Sequence, residues 1–270
     1  MYIVTTQFDG PSKCNFKLLL NVYRKSIEKV MPDADYVELI IDAPPKEQGI
    51  KYGMIANSVK LKTWIDFLED CNDNVIFTDC DMLMLQRADK AFYPDFDVAY
   101  TTRTRSNLIP VNSGVVMVKP TERAKSFMRE WLRINDEMFK DHNFHQKWRA
   151  KYQGMNQAAF GYLLETGGYE AKLHEYFTRE WNAVECDWQR ISTKTVFLHI
   201  KGSLRDSVLA QRIPTGPKAE AMKLWYNIAE IKPLHRSNSN ASVNRENVMN
   251  LLSKRKTAKI ESTLQEVVWQ

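Results

Sequence analysis

An α/β protein built on a doubly wound sheet flanked by helices is the fold this sequence predicts, and three observations predict it. Short apolar runs of strand type alternate with longer stretches of helical spacing from Tyr2 to Leu85. The composition, 44% hydrophobic and 26% charged over 270 residues, is that of a globular protein with chain enough for one large domain or a domain with an appendage. The run from Asn74 to Leu85 is apolar on both sides of two carboxylates, Asp79 and Asp81, as a strand buried on both faces and ending at a site would be.

Tyr2 to Thr6 reads as the first strand. Phe16, Leu19, Leu20, Tyr23, Ile27 and Val30 then fall at helical spacing, and Pro32 stops that helix. Tyr36 to Ile41 is a second strand, closed by Pro44-Pro45. Lys46 to Ala56, with Gly49 and Gly53, reads as a loop able to cover a site. Asn57 to Leu68 is a helix with Val59, Leu61, Trp64, Ile65 and Leu68 to pack, and the strand carrying Asp79 and Asp81 follows. Consecutive parallel strands joined this way imply right-handed crossovers.

The second half is less regular. Asp97 to Thr101 is a strand, followed by the basic polar loop Thr102 to Asn107 and then the run Val111 to Val118. After Pro120 comes a helix from Thr121 to about Met138. Lys140 to Tyr152 is the most basic and aromatic part of the body, Met155 to Leu164 is helical, and Gly167-Gly168 breaks it. Thr195 to Leu198 is a last strand running into His199. Ser237 to Ser242 is a polar linker, which divides a body of residues 1–236 from a basic, amphipathic, helical tail of residues 237–270.

At i and i+2 on extended chain, Asp79 and Asp81 point the same way and repel each other without a cation, so one hard divalent ion bridging them is the functional reading. A polar turn closing a buried strand is the alternative. His199 completes a set of two carboxylates and one imidazole, which suits Mn²⁺ or Mg²⁺. Such an ion, with positions left for a diphosphate, acts as a Lewis acid on a departing nucleoside diphosphate.

The motifs Val59-Lys60-Leu61-Lys62-Thr63-Trp64, Asp79-Cys80-Asp81, Asn112-Ser113-Gly114-Val115, Asn156-Gln157, Trp181-Asn182 and His199-Ile200-Lys201-Gly202 occur in the order seen in glycogenin-like glycosyltransferases, and over Tyr2 to Asp206 the chain resembles that family. The resemblance implies a GT-A fold, a Rossmann-like doubly wound mixed sheet, with a nucleotide-sugar donor (a UDP-sugar) and manganese. It implies that Asp79, Asp81 and His199 hold the metal. Thr5 and Thr6 would lie along the nucleoside, with Asp79 also near the ribose, and Lys60 on donor phosphate or sugar. Asn112 and Ser113 would lie beside the donor sugar, where Gly114 lets backbone approach closely, and Gly202 and Arg205 would hold the diphosphate. Asn112, Asn156 and Gln157 become the catalytic candidates, and Trp181 and Asn182 acceptor candidates. Two positions depart from the family. Asn156-Gln157 stands where it usually has Asp-Gln, which fits a retaining route with no enzyme nucleophile. Arg205-Asp206-Ser207 stands where Lys-Pro-Trp often follows the histidine motif, so closure over the donor is not implied.

Two other functions compete. A nucleotidyltransferase shares paired aspartates on such a sheet, but Gln7 to Lys13 is a poor version of its glycine-rich triphosphate loop. A non-catalytic nucleic-acid-binding protein accounts for the basic stretches but leaves Asp79, Asp81 and His199 unexplained. On the acceptor side, Arg103, Arg105, Lys147, Arg149 and Lys151 interleave with Phe144, Trp148 and Tyr152 as phosphate contacts and stacking platforms do. This favours hydroxymethylated bases in DNA, of the kind some phage enzymes glycosylate, over a saccharide, lipid-linked sugar or protein hydroxyl. A base in a duplex would have to be flipped out. The tail allows peripheral membrane contact, although no apolar run reaches the length that spans a bilayer. The net charge of +5 permits an anionic partner without demanding one. Met1 leads straight into a core strand with no leader pattern, and Cys14, Cys71, Cys80 and Cys186 form no C-x-x-C pair or zinc spacing. A cytoplasmic protein with reduced thiols is the expectation, Cys80 turning into the core as a small side chain.

Overall fold

The computed structural model describes residues 1–10, 14–45, 51–103 and 110–234. In chain order the elements are β1 (Tyr2–Asp9), α1 (Phe16–Val30), β2 (Asp35–Asp42), α2 (Tyr52–Glu69), β3 (Val75–Thr78), β4 (Met82–Met84), β5 (Val98–Thr102) and β6 (Val111–Val118). There follow α3 (Glu122–Lys140), α4 (His142–Tyr152), α5 (Asn156–Thr166), β7 (Leu173–Phe177), α6 (Thr178–Trp181), β8 (Phe197–His199), α7 (Gly202–Leu209) and α8 (Ala219–Ala229). Asn15 and Thr121 start α1 and α3 by accepting the backbone N–H of Leu18 and Ala124, which satisfies donors that a helix start leaves open.

Six strands form one mixed sheet in the order β2-β1-β3-β6-β5-β7. All neighbours are parallel except that β6 runs against both β3 and β5. The period-2 alternation of strands shows in two rows across the sheet. Ile3, Ile76, Met117 and Ala99 stand in register on one face, among the side chains that pack with Tyr23 and Ile27 of α1. Val4, Phe77 and Val116 line the other, under Trp64, Phe127, Trp131 and Phe160 of α2, α3 and α5. Phe77 stacks on Trp64 at 5.0 Å between ring centroids. Burying a side chain such as Phe77 stabilises by roughly 1.5–3 kcal/mol, so the strand that delivers the two aspartates is among the best anchored parts of the fold. The two-stranded ribbon of β4 and β8 sets Met82 opposite His199, bringing the far end of the chain to those aspartates.

Several expectations are corrected. Asp79 to Asp81 lie in a bend between β3 and β4, so their carboxylates converge through that bend and not through the pleat of one strand. Cys80 is partly exposed instead of turned into the core. Helix α2 begins at Tyr52, which makes Gly53 to Ala56 helical; Gly53 is exposed in the first turn with open space around it, where glycine costs little. The rest of the expected covering loop, residues 46–50, lies outside the described residues. Of the run from Gln7 to Lys13, Gln7 to Asp9 belong to β1, which pairs with β2 as far as Asp9, and residues 11–13 lie outside the described residues. Strand β7 escapes sequence reading because Leu173-His174-Glu175-Tyr176-Phe177, an edge strand, lacks an apolar run. Arg105 and the tail beyond Leu234 lie outside the described residues. Among the described residues no helix is long and apolar enough to cross a membrane.

Candidate active site

The bend after β3 is clamped from two sides. Asp79 N–H donates to Gly114 O at 3.0 Å, and Ile200 N–H donates to Asp81 O at 2.7 Å, so β6 and the end of β8 both hold it. His199 Nε2 lies 3.4 Å from Asp79 Oδ2 and 3.2 Å from Asp81 Oδ1. One ligand atom from each of the three residues falls within 4.8 Å of the others. Asp81 and His199 are buried, while Asp79 is partly open to the cleft.

The hydrogen bonds around His199 fix which of its nitrogens is free. Gly114 N–H, a donor without ambiguity, donates to Asn112 Oδ1 at 2.9 Å. The Asn182 atom facing that same oxygen at 3.0 Å is therefore the amide Nδ2, which also reaches Thr101 Oγ1 at 3.0 Å. Thr101 gives its own proton to Asn112 O. Asn182 Oδ1 is left to face His199 Nδ1 at 3.0 Å, so Nδ1 donates there and Nε2 is the nitrogen that faces the two aspartates. The donor set, two carboxylates and the imidazole nitrogen turned towards them, fits a hard or borderline divalent ion. Asn182, expected on the acceptor side, is fully buried and orients the histidine instead. Its signal in the sequence was a lone amide among Trp181, Ala183 and Val184, where burial requires every polar atom to find a partner.

Glycine is required at position 114 for a steric reason. A Cβ there would stand 2.8 Å from His199 Cε1 and 2.9 Å from Asn112 Oδ1. The pairing of β5 with β6 also slips here, Tyr100 facing Val116 but Thr101 facing Asn112. Such a bulge re-aims the backbone, and it puts Asn112 and Ser113 beside the aspartates.

Two cations face the carboxylates. Lys60, buried, pairs with Asp79 and lies 4.6 Å from the centre of the Trp64 ring. Arg205 Nη1 meets Asp81 Oδ2 at 3.2 Å and lies over Phe16. Burial by itself would raise the Asp79 carboxyl, but Lys60 and His199 beside it hold it below the ordinary carboxylate value. Burial and the two aspartates push the Cys80 thiol well up, so it stays protonated. Behind Asp79, Thr5 Oγ1 donates to Thr78 O at 3.1 Å, whereas buried Thr6 Oγ1 has no hydrogen-bond partner among the described residues.

The start of α5 docks on the same bulge. Asn156 Nδ2 donates to Ser113 Oγ at 3.1 Å, and Gln157 Oε1 accepts from Ser113 N–H at 3.4 Å while its Nε2 donates to Tyr152 O at 3.0 Å. Hydrogen bonds and backbone thus join Gln157, Ser113, Asn112, Asn182 and His199 in one series. Gly202, at φ +52°, opens α7 directly beyond this series.

The expected acceptor residues are scattered by comparison. Trp181 is buried in the core beside Tyr176. Trp148 and Phe144, partly buried, pack edge-on against Tyr162, and Tyr152 is buried, so all three rings are packed against the core under α4. Arg149 and Lys151 lie on α4, Lys151 paired with Glu165. Arg103 alone stands by the cleft, 3.5 Å from Glu185, a carboxylate that Lys201 also approaches. Sequence reading assigned no role to Glu185 or Lys201, whose ammonium burial pushes below its usual value.

Residues 58–204 match the model of the nucleotide-diphospho-sugar transferase family. Three solved structures share the fold. One is a glycosyltransferase involved in glycosylation of the major capsid of PBCV-1, 12% identical with a TM-score of 0.53 over 82% of this chain and 98% of that one. Another is the galactosyltransferase LgtC in complex with donor and acceptor sugar analogues, 14% identical with a TM-score of 0.52 over 87% and 98%. The third is the apo-form glycosyltransferase GlyE of Streptococcus pneumoniae TIGR4, 11% identical with a TM-score of 0.54 over 86% of this chain and 60% of that one. No curated protein matches the sequence. The fold is GT-A, as the motif order implied.

Proposed function

The chain belongs to the nucleotide-diphospho-sugar transferase family and is a nucleotide-sugar glycosyltransferase; from that premise we propose that it moves a hexose from a UDP-sugar to an acceptor hydroxyl with Mn²⁺ and with retention. The observation that carries the reading is the convergence of Asp79, Asp81 and His199, whose Nδ1 is taken up by Asn182 so that Nε2 is the nitrogen turned to the two carboxylates. These three residues would hold the ion, Mn²⁺ or Mg²⁺, and the chemistry it supplies is neutralisation of the leaving diphosphate. Lys60 and Arg205, already on the two aspartates, sit where they can turn to phosphate oxygens. Asn112 and Ser113 line the sugar's place, and Thr6 Oγ1, buried without a partner, is free to meet the nucleoside. Neither amide at 156 and 157 can form a glycosyl ester, so on this reading retention runs without a glycosyl-enzyme, the acceptor attacking on the face the diphosphate leaves and Gln157 steadying charge at the anomeric carbon. Membership of the family sets aside the nucleotidyltransferase and the non-catalytic reading.

For the acceptor, a hydroxymethylated base in DNA now rests on the cations Arg103, Arg149 and Lys151 alone, since the rings expected to stack on bases are packed inward. The test is UDP-sugar hydrolysis with and without metal. Mn²⁺ should restore activity removed by EDTA, and the released or transferred sugar should keep its anomeric configuration by NMR. Full activity in excess EDTA would overturn the reading.

A further inference from the structure

Beside the aspartates lies a second group of charges, Arg103, Lys201 and Glu185, separate from the pairs that Asp79 and Asp81 make with Lys60 and Arg205. Arg103, at the end of β5, has a side chain only 10% exposed, and its Nη2 lies 3.5 Å from Glu185 Oε2. Lys201 Nζ lies 3.9 Å from the other oxygen, Oε1. That second distance is too long for a hydrogen bond, and buried Arg103 Nε has no partner among the described residues. The group sits at the mouth of the site, because a Cβ on Gly202 would stand 3.7 Å from Glu185 Oε1, just beyond His199. A buried guanidinium N–H left without an acceptor is costly, and here it adjoins a second cation held only loosely by the same carboxylate.

Formal charge points the same way. Asp79 and Asp81 are matched by Lys60 and Arg205, and a divalent ion is matched by the two charges of a donor diphosphate. Arg103 and Lys201 set against Glu185 leave one positive charge with no counterpart.

We propose that Arg103 and Lys201 form an anion subsite for a carboxylate or phosphate group carried by the acceptor, with Glu185 holding the two cations together until that group arrives. The acceptor is then an anionic hydroxyl compound, and its charge seats it beside the reacting centre. Arg103 offers several fixed donors for a planar or tetrahedral oxyanion, and Lys201 adds a movable one. Glu185, about half exposed, is free to swing away. This rests on the glycosyltransferase reading above.

The experiment titrates the full chain, filled with Mn²⁺ and UDP, with glucose 6-phosphate, glucuronate and glucose in a calorimeter. At least one anion should bind about tenfold or more tightly than glucose, and whichever is favoured identifies phosphate or carboxylate as the group. Arg103→Gln and Lys201→Gln should each remove most of that preference. Glu185→Gln should strengthen anion binding severalfold, an opposite sign that no folding defect produces. Equal binding of the three sugars, no binding of either anion, or displacement of the anion by UDP would each overturn the subsite. Failure of UDP itself to bind with Mn²⁺ would instead count against the glycosyltransferase reading, so the two failures are told apart.

Discussion

On the side of the cleft proposed to hold the metal, Asn112 Oδ1, both ends of the Asn182 amide and both nitrogens of His199 have partners at 3.4 Å or closer. On the other side, Arg103 Nε has none among the described residues, and Glu185 meets its two cations at 3.5 and 3.9 Å. The first side is made of short side chains on strand ends, whose positions the backbone fixes; the second is made of long ones with several rotatable bonds. A group whose charge must sit correctly in a transition state gains from being fixed in advance. A group that must admit, seat and release an acceptor gains from room to move. On the proposals above, rigid polar satisfaction and loose charge excess would then divide two tasks within one site.

Removing a ligand on the rigid side should have the largest effect. Asp81→Ala deletes a metal oxygen and leaves Arg205 beside an empty place. With several kcal/mol of leaving-group stabilisation at stake, hydrolysis of the UDP-sugar should fall roughly a thousandfold or more. Circular dichroism should stay that of the parent, since no core contact is lost. A Mn²⁺-dependent rate within tenfold of the parent would mean that Asp81 is not a ligand.

How legible each side was follows from the same division. Asp79, Asp81 and His199 could be read because short side chains at the ends of apolar runs leave a local pattern. The sheet could be read over its first half for the same reason, Val75-Ile76-Phe77 being buried on both faces. The bulge at Asn112 could not, because a register slip depends on the partner strand. Asn182 was found but given the wrong side, since its three partners, Thr101, Asn112 and His199, come from distant parts of the chain. Trp148 read as a stacking platform because exposure of one helix face depends on what packs beneath it, here Tyr162 of α5. Lys201 and Glu185 lie in no motif that marks charge, and only folding puts them together.

Loosening the rigid side without removing a ligand gives the next effect. Asn182→Ala takes away the acceptor that fixes the His199 proton on Nδ1. Removing such an outer partner typically costs about ten- to a hundredfold in metal affinity. The loss should appear when Mn²⁺ is titrated into donor-free protein and followed by electron paramagnetic resonance. Unchanged affinity would mean that His199 is oriented by its strand alone.

Crowding the rigid side should be felt as stability. Gly114→Ala places a methyl group 2.8 Å from the His199 ring and 2.9 Å from Asn112 Oδ1, in a site with no slack. Overpacking of this kind costs about 1–3 kcal/mol, read as a lower midpoint in thermal or urea denaturation. Since the His199 ring is what must move, Mn²⁺ affinity should fall along with stability. A stable variant with parental metal binding would show that the network bends more easily than its hydrogen bonds suggest.

The smallest effect belongs to the solvated cations of α4, and it sharpens the contrast with Arg103. Lys151 and Glu165 are 55% and 39% exposed at their side chains, and Tyr152 OH also donates to Glu165 Oε1 at 2.6 Å. Water screens such a pair, so Lys151→Gln should change stability by less than about 1 kcal/mol, with Tyr152 still holding Glu165 in place. Its remaining task would be to touch phosphate. If a hydroxymethylated oligonucleotide reaches the cleft across α4, Lys151→Gln should lower the slope of log affinity against log salt by about one. Arg103→Gln should instead weaken binding by a larger factor, because its charge is desolvated. A slope that does not move takes α4 out of the acceptor's path and leaves the buried pair, Arg103 and Lys201, to recognise whatever charge the acceptor brings.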